Sequence, residues 1–513
     1  MAQPLQSINL VAPAFKGINT EDSPLQQDPS FADVADNAII DKRGRIAARK
    51  GNKLFTTDNT ALGGNVVEQM HYFYDDAGNT KLFSAANNKI FSGTTTLTDE
   101  TPVSYTITSN NWRMVNFNNA AYFFQRGHQP LIYTHAGGLQ TFNAFTGGTM
   151  STNLYCHEAL AAYGRLWVVD NGSNTQVIYW SDLLIGTDFT GGSSGSIDVS
   201  KVWPDGYDEV IGLAAHNNLL IVFGKHSILV YQGASSPATM SLADTVAGVG
   251  CSCRNSIQHI GTDVLFVSPS GLRSFGRTIQ EKSMPISDLS ANIKTEFVEA
   301  EQLRTQPTKS VYSPENSFYL LAFPEDGTVY CFDLKGRLEN NSYRVTRWTN
   351  APFTCFERLP NGDLYTGSVY GVGEYTGYAD QYIDDGSIID GKYRFRYYSP
   401  GLTFGDPSKL KILKKLRPTI VGGNSSSVSI GWSYDLTEDY TFRTVTIGDQ
   451  TPYYYGVAEY GIAEYSAGIF TSRKQINATS GGSIVTIAVE ADIQGFPLSL
   501  QEINVQAMIG KTL

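Results

Sequence analysis

Short apolar strands alternate with polar turns along most of the chain, and one pair of strands recurs seven times between Leu82 and Thr376. Each copy has an apolar strand, a turn of Gly, Asn or Asp, and a second strand that ends near an aromatic residue. The copies align on Phe83, Phe123, Trp167, Ile221, Phe266, Leu320 and Tyr365, at spacings of 40, 44, 54, 45, 54 and 45 residues. Hairpins that recur every roughly 40–50 residues predict a β-propeller with one four-stranded blade per repeat.

The two longer spacings predict insertions between blades. In residues 288–303, Leu289, Ile293 and Phe297 recur every four residues behind Asp288, which predicts a capped helix with one apolar face. The Ser- and Gly-rich residues 190–206 predict an inserted loop. The propeller is therefore expected to have six or seven blades, depending on how the N-terminal strands complete the ring.

The pattern changes after Gly377. Longer alternating strands at 392–399, 427–435, 483–492 and 503–510 predict a C-terminal antiparallel β-sandwich-like domain. The fold class is therefore all-β. Three regions are expected: an N-terminal arm and first hairpin packing on the propeller (1–60), the propeller (61–378), and a C-terminal β-domain (379–513) with a Tyr/Gly-rich arm at 451–468.

Composition agrees with many short strands and limits the function. The chain has 49 glycines, 12% aromatic and 17% charged residues. Its formal net charge of −11 argues against a protein that grips nucleic-acid phosphates with a basic surface. Five scattered cysteines predict buried thiols in a reducing cytosol. We expect neither a signal peptide nor a membrane span, because no sufficiently long apolar run occurs.

No motif predicts catalysis. The sequence has no phosphate-binding loop, zinc-protease motif or serine elbow, so we expect no catalytic residue, no cofactor and no bound metal. Acidic residues cluster in two turns, Asp205, Asp208 and Glu209 in one and Asp384, Asp385 and Asp390 in the other. Paired carboxylates can hydrolyse glycosides, but Asp is also an ordinary turn residue, and the second interpretation is favoured.

The chain has a single basic cluster, Lys409, Lys411, Lys414, Lys415 and Arg417. In a regular strand, Lys409, Lys411 and Lys415 would share one face and Lys414 would lie on the other. One interpretation is an edge strand that lysines protect from aggregation. The alternative is a surface that docks an acidic partner or contacts passing phosphates.

The Tyr/Gly-rich arm is the second candidate site, with Tyr453, Tyr454, Tyr455, Tyr460 and Tyr465. Tyrosine gives a large contact area at low entropic cost, and the intervening glycines let the backbone bend. The arm is expected either to close a channel or to clasp a neighbouring subunit.

Three motifs, in their shared order, resemble the nozzle (tail tubular) and DNA-stabilisation proteins of short-tailed phages. The first is FKGINTEDSP (15–24) followed by ADNAIIDKRGRIAARKG (35–51). The second comprises residues 209–233 and 248–275, and the third is residues 384–418. The pair Cys251 and Cys253 departs from what the group leads one to expect.

The resemblance implies a structural, non-enzymatic subunit of a virion tail, assembled in the host cytoplasm. Its partners would be itself in a hexameric ring, a tail adaptor, tail fibre or spike proteins, and duplex DNA that passes without sequence recognition. The ring would retain the packaged genome until ejection. DNA would pass between copies, along an acidic or neutral wall, because a propeller axis is too narrow for a duplex. The alternatives are a carbohydrate-binding or depolymerising propeller at the tail tip and a cytosolic protein-interaction propeller.

Overall fold

The computed structural model describes residues 5–142, 156–170, 175–281, 288–423, 426–448 and 471–512. The N-terminal region contributes five short strands to three different sheets. They are β1 (Leu5–Val11), β2 (Val34–Asp36), β3 (Ala38–Ile40), β4 (Ile46–Ala48) and β5 (Asn52–Leu54), followed by a 3-10 turn at Thr60–Leu62.

Four antiparallel four-stranded blades follow in chain order. The first has β6 (Gln69–Tyr74), β7 (Thr80–Ala86), β8 (Lys89–Ser92) and β9 (Thr98–Asp99). The second has β10 (Arg113–Phe117), β11 (Ala120–Phe124), β12 (Leu131–Thr134) and β13 (Gly138–Thr141). The third has β14 (Cys156–Ala162), β15 (Arg165–Asp170), β16 (Val177–Trp180) and β17 (Gly195–Asp198). The fourth has β18 (Val210–His216), β19 (Leu219–Gly224), β20 (Ser227–Gln232) and β21 (Ser241–Ala247), with a 3-10 turn at Pro237–Thr239.

A three-stranded sheet and two more blades complete the ring. The sheet has β22 (Gln258–His259), β23 (Val264–Ser268) and β24 (Gly271–Ser274), after a 3-10 turn at Arg254–Ser256. Helices α1 (Phe275–Glu281) and α2 (Lys294–Leu303) follow, with a 3-10 turn at Ala291–Ile293. The next blade has β25 (Lys309–Ser313), β26 (Phe318–Phe323), β27 (Thr328–Arg337) and β28 (Tyr343–Trp348). The last has β29 (Cys355–Arg358), β30 (Leu364–Ser368) and β31 (Gly371–Tyr375), with β5 as its fourth strand.

The propeller prediction is confirmed, with six complete four-stranded blades among the described residues and the three-stranded sheet between the fourth and fifth of them. All seven aligned repeat positions lie in the second strand of a sheet. Several hairpin turns consist of two consecutive residues with positive φ, such as Asn118–Asn119 and Asn217–Asn218. Asn tolerates this conformation, which matches the twist of the strands. Helix α2 confirms most of the helix expected at 288–303, whereas α1 has no counterpart in the sequence prediction.

The C-terminal region supplies eleven described strands to three sheets. They are β32 (Asp380–Asp384), β33 (Ser387–Gly391), β34 (Tyr393–Tyr398), β35 (Lys409–Gly422), β36 (Ser427–Tyr434), β37 (Thr441–Thr446), β38 (Thr471–Arg473), β39 (Ile476–Asn477), β40 (Gly481–Gly482), β41 (Val485–Ile493) and β42 (Leu498–Thr512). The four long strands expected from the sequence are all present.

A separate C-terminal antiparallel sandwich is not confirmed, because both large sheets take strands from both ends of the chain. One sheet runs from the blade β25–β28 through β2 into β34, β41, β36 and β37. The other contains β3, β4, β42, β35 and β38, with β1 paired along β42 and with β39 and β40 on β35. Both sheets contribute to one hydrophobic cluster, which includes Leu10, Leu413, Trp432, Ile487 and Val505. Strand pairing therefore crosses the boundaries predicted at residues 60 and 378.

A buried arginine ties these regions together. Arg49 is fully buried and donates two hydrogen bonds to the carboxylate of Asp380, Nη1 to Oδ1 at 2.9 Å and Nη2 to Oδ2 at 2.6 Å. Its Nε donates to Oδ1 of Asn37 at 3.0 Å. Its guanidinium carbon lies 4.1 Å from the centroid of the Tyr393 ring, and the Tyr393 hydroxyl donates to the Arg49 carbonyl. Residues from the N-terminal region, the propeller boundary and the C-terminal region thus meet at one side chain.

Candidate functional site

The lysine-rich segment is an interior strand, so the edge-strand interpretation is wrong. Strand β35 pairs with β42 along one side and with β38, β39 and β40 along the other. Both rows of backbone hydrogen-bonding groups are therefore occupied over much of its length. The lysines of this strand do not protect an open sheet edge.

Lys411 is a structural residue and not a displayed charge. Its side chain is fully buried, and its ammonium group donates to the backbone oxygens of Ser483, at 2.6 Å, and Asp406. Burial lowers the pKa of Lys411. The pairing with β42 shifts register between Lys409 and Lys411 and again between Leu413 and Lys415. These irregularities break the simple alternation that placed Lys411 beside Lys409 and Lys415 on one face.

The other four basic residues of the cluster remain candidates for partner docking. Lys414 is exposed, whereas Lys409, Lys415 and Arg417 are half-buried. Lys409 pairs with Asp406 at 3.1 Å, and Nε of Arg417 donates to Gln475 at 3.1 Å. Their docking role stays a prediction. The five tyrosines of the predicted closure, Tyr453, Tyr454, Tyr455, Tyr460 and Tyr465, lie outside the described residues.

Polar and charged side chains from the innermost strands line the propeller axis. The inner strands of neighbouring blades contact one another around the axis. Between the fourth and fifth blades, where the three-stranded sheet lies, β18 and β25 both contact the 3-10 turn Arg254–Ser256. Two axial cavities remain, of about 300 and 350 Å³, and both are bordered by Asn255. Both cavities lie among the side chains that the inner strands direct toward the axis.

The first axial cavity contains titratable groups that burial perturbs. The carboxylate of Glu357 accepts a hydrogen bond from the Tyr72 backbone N–H at 2.9 Å and lies 3.7 Å from Nδ1 of His71. Burial raises the pKa of Glu357 to about 7 and lowers the pKa of His71 to about 4. Nζ of Lys309 donates to Gln69 at 3.0 Å, and burial lowers the pKa of this lysine to about 8.

An ion pair joins the inner strands of two neighbouring blades beside the axis. Nε of Arg113 on β10 lies 3.0 Å from Oε1 of Glu158 on β14, whose side chain is 1% exposed. Burial raises the pKa of Glu158, and Arg113 opposes this shift. Sequence reasoning missed these axial residues. The available signal was a polar or charged residue in the first strand of several repeats, where the neighbouring positions are apolar.

Asp208 and Asp390, one from each acidic turn, both accept hydrogen bonds. Asp208 is buried and accepts hydrogen bonds from the backbone N–H groups of Glu209, Lys225 and His226 at 2.8–3.0 Å. Asp390 accepts a hydrogen bond from Gln381 at 2.8 Å. These contacts are those of turn and strand residues.

Neither the cysteines nor the acidic residues form a metal site in the described part of the chain. All five cysteines are buried, as the sequence predicted. No group of three or more His, Cys, Asp or Glu side chains there is placed to hold a metal ion. No helix within the described ranges is long and apolar enough to cross a membrane.

Comparison with known proteins gives structural similarity only. No protein-family model and no curated protein matches the sequence. The extracellular domain of a hybrid two-component system from B. thetaiotaomicron matches with a TM-score of 0.41 and 10% identity, over 68% of this chain and 46% of that one. The WD40 domain of Neurospora crassa Pan2 matches with a TM-score of 0.37 and 8% identity, over 64% of this chain and 95% of that one. The C-terminal WD40 domain of Sif2 matches with a TM-score of 0.37 and 11% identity, over 64% of this chain and 98% of that one. These scores are low, and the propeller assignment rests on the strand order described above.

Proposed function

We propose that this chain is a structural subunit of a short phage tail, in which six copies form a ring around the DNA exit channel. The order of the sequence motifs is the main support. The first and third motifs, more than 300 residues apart in the chain, are spatial neighbours: Arg49 stacks on Tyr393, and the Asn37 side chain donates to the Arg394 carbonyl at 2.9 Å. Residues of these two motifs therefore contact each other where the N-terminal region meets the C-terminal sheets.

Two further observations fit a ring. Residues such as Arg113, Glu158 and Lys309 line the propeller axis, which is too narrow for a duplex, so a DNA conduit would have to lie between copies. The net charge of −11 suits a wall along which phosphates slide without being held. The tail adaptor would dock on the ring, and the exposed Lys414 with its neighbours Lys409, Lys415 and Arg417 is our candidate contact.

Mass photometry and negative-stain imaging of the purified chain test the ring. Six copies of 56.1 kDa give about 337 kDa, and class averages should show sixfold symmetry. Reversing the charges of Lys414 and Lys415 should weaken adaptor docking without unfolding the monomer. A species that remains monomeric or trimeric at every accessible concentration, with and without an adaptor, would contradict the proposal.

One observation favours the carbohydrate-binding alternative. A groove of about 720 Å³ is bordered by the aromatic rings of Tyr370 and Tyr382 and by the carboxyl groups of Asp380 and Asp390. Both oxygens of Asp380 are, however, bonded to Arg49, which leaves no free pair of carboxylates there. Measuring both the binding of host surface polysaccharide and the release of new reducing ends separates the two functions, because a ring subunit is expected to show neither.

A further inference from the structure

The second axial cavity lies at one mouth of the propeller. It has a volume of about 350 Å³ and is bordered by residues at or just before the start of five inner strands. These residues include Asn111 before β10, His157 in β14, Ile211 in β18, Arg254 before β22 and Pro307 before β25. The cavity is of a size that holds a small molecule.

Three arginines border this cavity, and one of them makes no ion pair within the described part of the chain. Arg254 donates from Nη2 to the Asn111 carbonyl at 2.6 Å and makes no ion pair with any described residue. Burial, together with repulsion from Arg113, lowers the pKa of Arg254, while Glu158 opposes the shift. A guanidinium with most of its N–H groups unused is suited to an anion with several oxygens.

The other two arginines are partly engaged. Arg126 is 58% exposed and pairs with Glu209 at 3.0 Å, which places it at the open side. Arg304 pairs with Glu301 at 2.7 Å and donates from Nη2 to the Ser252 carbonyl at 3.0 Å. Each guanidinium has five donors, so both retain N–H groups for a ligand.

The same walls contain buried acceptor atoms without partners. His157 is 6% exposed, and its Nε2 lies 3.0 Å from the Val210 carbonyl, which can only accept, so Nε2 carries the proton. Its Nδ1 is a buried lone pair with no partner. Gln125 is 2% exposed, and its Oε1 is also buried and unpartnered. A buried acceptor to which nothing donates destabilises the fold, so a ligand that donates to it gains affinity.

Donors and acceptors together define the ligand chemistry. The arginines require negative charge, whereas His157 and Gln125 require hydrogen-bond donors. A bare inorganic anion satisfies the first requirement much better than the second. We propose that this cavity binds a small phosphate monoester with hydroxyl groups, its phosphate on Arg254 and Arg126 and its hydroxyls donating to His157 Nδ1 and Gln125 Oε1.

Isothermal titration calorimetry with three probes tests the site on the full-length protein. Glycerol 3-phosphate should bind with a Kd near or below about 1 mM, which corresponds to about −4 kcal/mol. Inorganic phosphate should bind at least tenfold more weakly, because it lacks the additional hydroxyls, and glycerol should give no heat. Equal binding of glycerol 3-phosphate and inorganic phosphate would refute the role of the hydroxyl contacts.

Two substitutions locate the binding. Arg254→Met should weaken the binding of glycerol 3-phosphate at least tenfold. Arg126→Met, on the exposed rim, should weaken this binding several-fold without affecting folding. Arg443→Met, in the exposed strand β37, is the matched control and should bind as the parent does. Circular dichroism establishes that each variant is folded, and Arg126→Met keeps the test valid should Arg254→Met fail to fold. No binding of any probe at about 10 mM, or unchanged binding in both variants, overturns the proposal.

Discussion

Replacing Arg49 by Met is the sharpest test of how the regions of this fold are held together. Met has a similar length and apolar stem but cannot form the two bonds to Asp380 or the bond to Asn37. The Asp380 side chain is only 14% exposed, so the substitution leaves a mostly buried carboxylate without its cation.

The expected cost follows from that unpaired charge. Removing one partner of a buried ion pair costs about 3–5 kcal/mol. For 513 residues the entropy of unfolding is about 1.1 kcal/mol per kelvin, so this cost lowers Tm by about 3–5 °C if the chain unfolds as one unit. Arg49→Lys should lose nearly as much, because an ammonium neither chelates a carboxylate nor stacks on Tyr393 as a guanidinium does.

Differential scanning calorimetry of both variants measures the effect. The control is Arg358→Met, which removes a surface pair with Glu315 whose side chains are 37% and 41% exposed. Exposed pairs contribute only about 0–1 kcal/mol, so this Tm should change by less than about 1 °C. The double variant Arg49→Met, Asp380→Asn should recover part of the loss, because no buried charge remains. If Arg49→Met has the same Tm as the Arg358→Met control, Arg49 does not hold these regions together as described.

Two further predictions concern buried charges. Lys411→Ala should lower the free energy of unfolding by roughly 1–3 kcal/mol, because two carbonyl oxygens lose their donor. Lys414→Ala, at an exposed position of the same strand, should change it by no more than about 0.5 kcal/mol. Equal melting temperatures for the two variants would contradict the assignment of Lys411 as a structural residue. Because the folded state raises the pKa of Glu357 to about 7, this group stabilises the fold below its unfolded pKa of about 4.5, and the contribution is lost as pH rises through about 7. The difference in Tm between Glu357→Gln and the parent should therefore increase in favour of the variant from about pH 5 to pH 8, while His71 and Arg113 stay unchanged beside it. A difference in Tm that is constant across that range would exclude the titration of Glu357.

The propeller could be predicted because each hairpin is a local pattern. Phe83, Trp167 and Phe266 lie in the second strands of their sheets because alternation and turn residues act over about 15 residues. Helix α1 escaped prediction because Phe275–Glu281 is short and begins directly after β24, and because Asp263, which accepts a hydrogen bond from the Gly276 N–H at 2.9 Å, lies more than ten residues before the helix.

The arrangement of the chain ends and of the axial charges could not be predicted in the same way. Pairings such as Leu5 with Met508, or Asp36 with Arg347, join residues hundreds of positions apart and leave no local pattern. The contacts of Lys411 depend on register shifts in β35 that no alternation reveals. The grouping of Arg113, Glu158 and Arg254 arises only when separate blades converge on the axis.

The pairing of β1 with β42 also has a consequence for how the protein is made. Leu5 is synthesised about 500 residues before its partner Met508. At roughly 5–20 residues per second, about 500 residues take some 25–100 seconds. Throughout that interval the nascent N-terminal strand has an open backbone edge, since the sheet it completes does not yet exist. A cell making many copies side by side thus has to keep these unfinished chains apart, and chaperone demand should scale with the time between the synthesis of Leu5 and that of Met508.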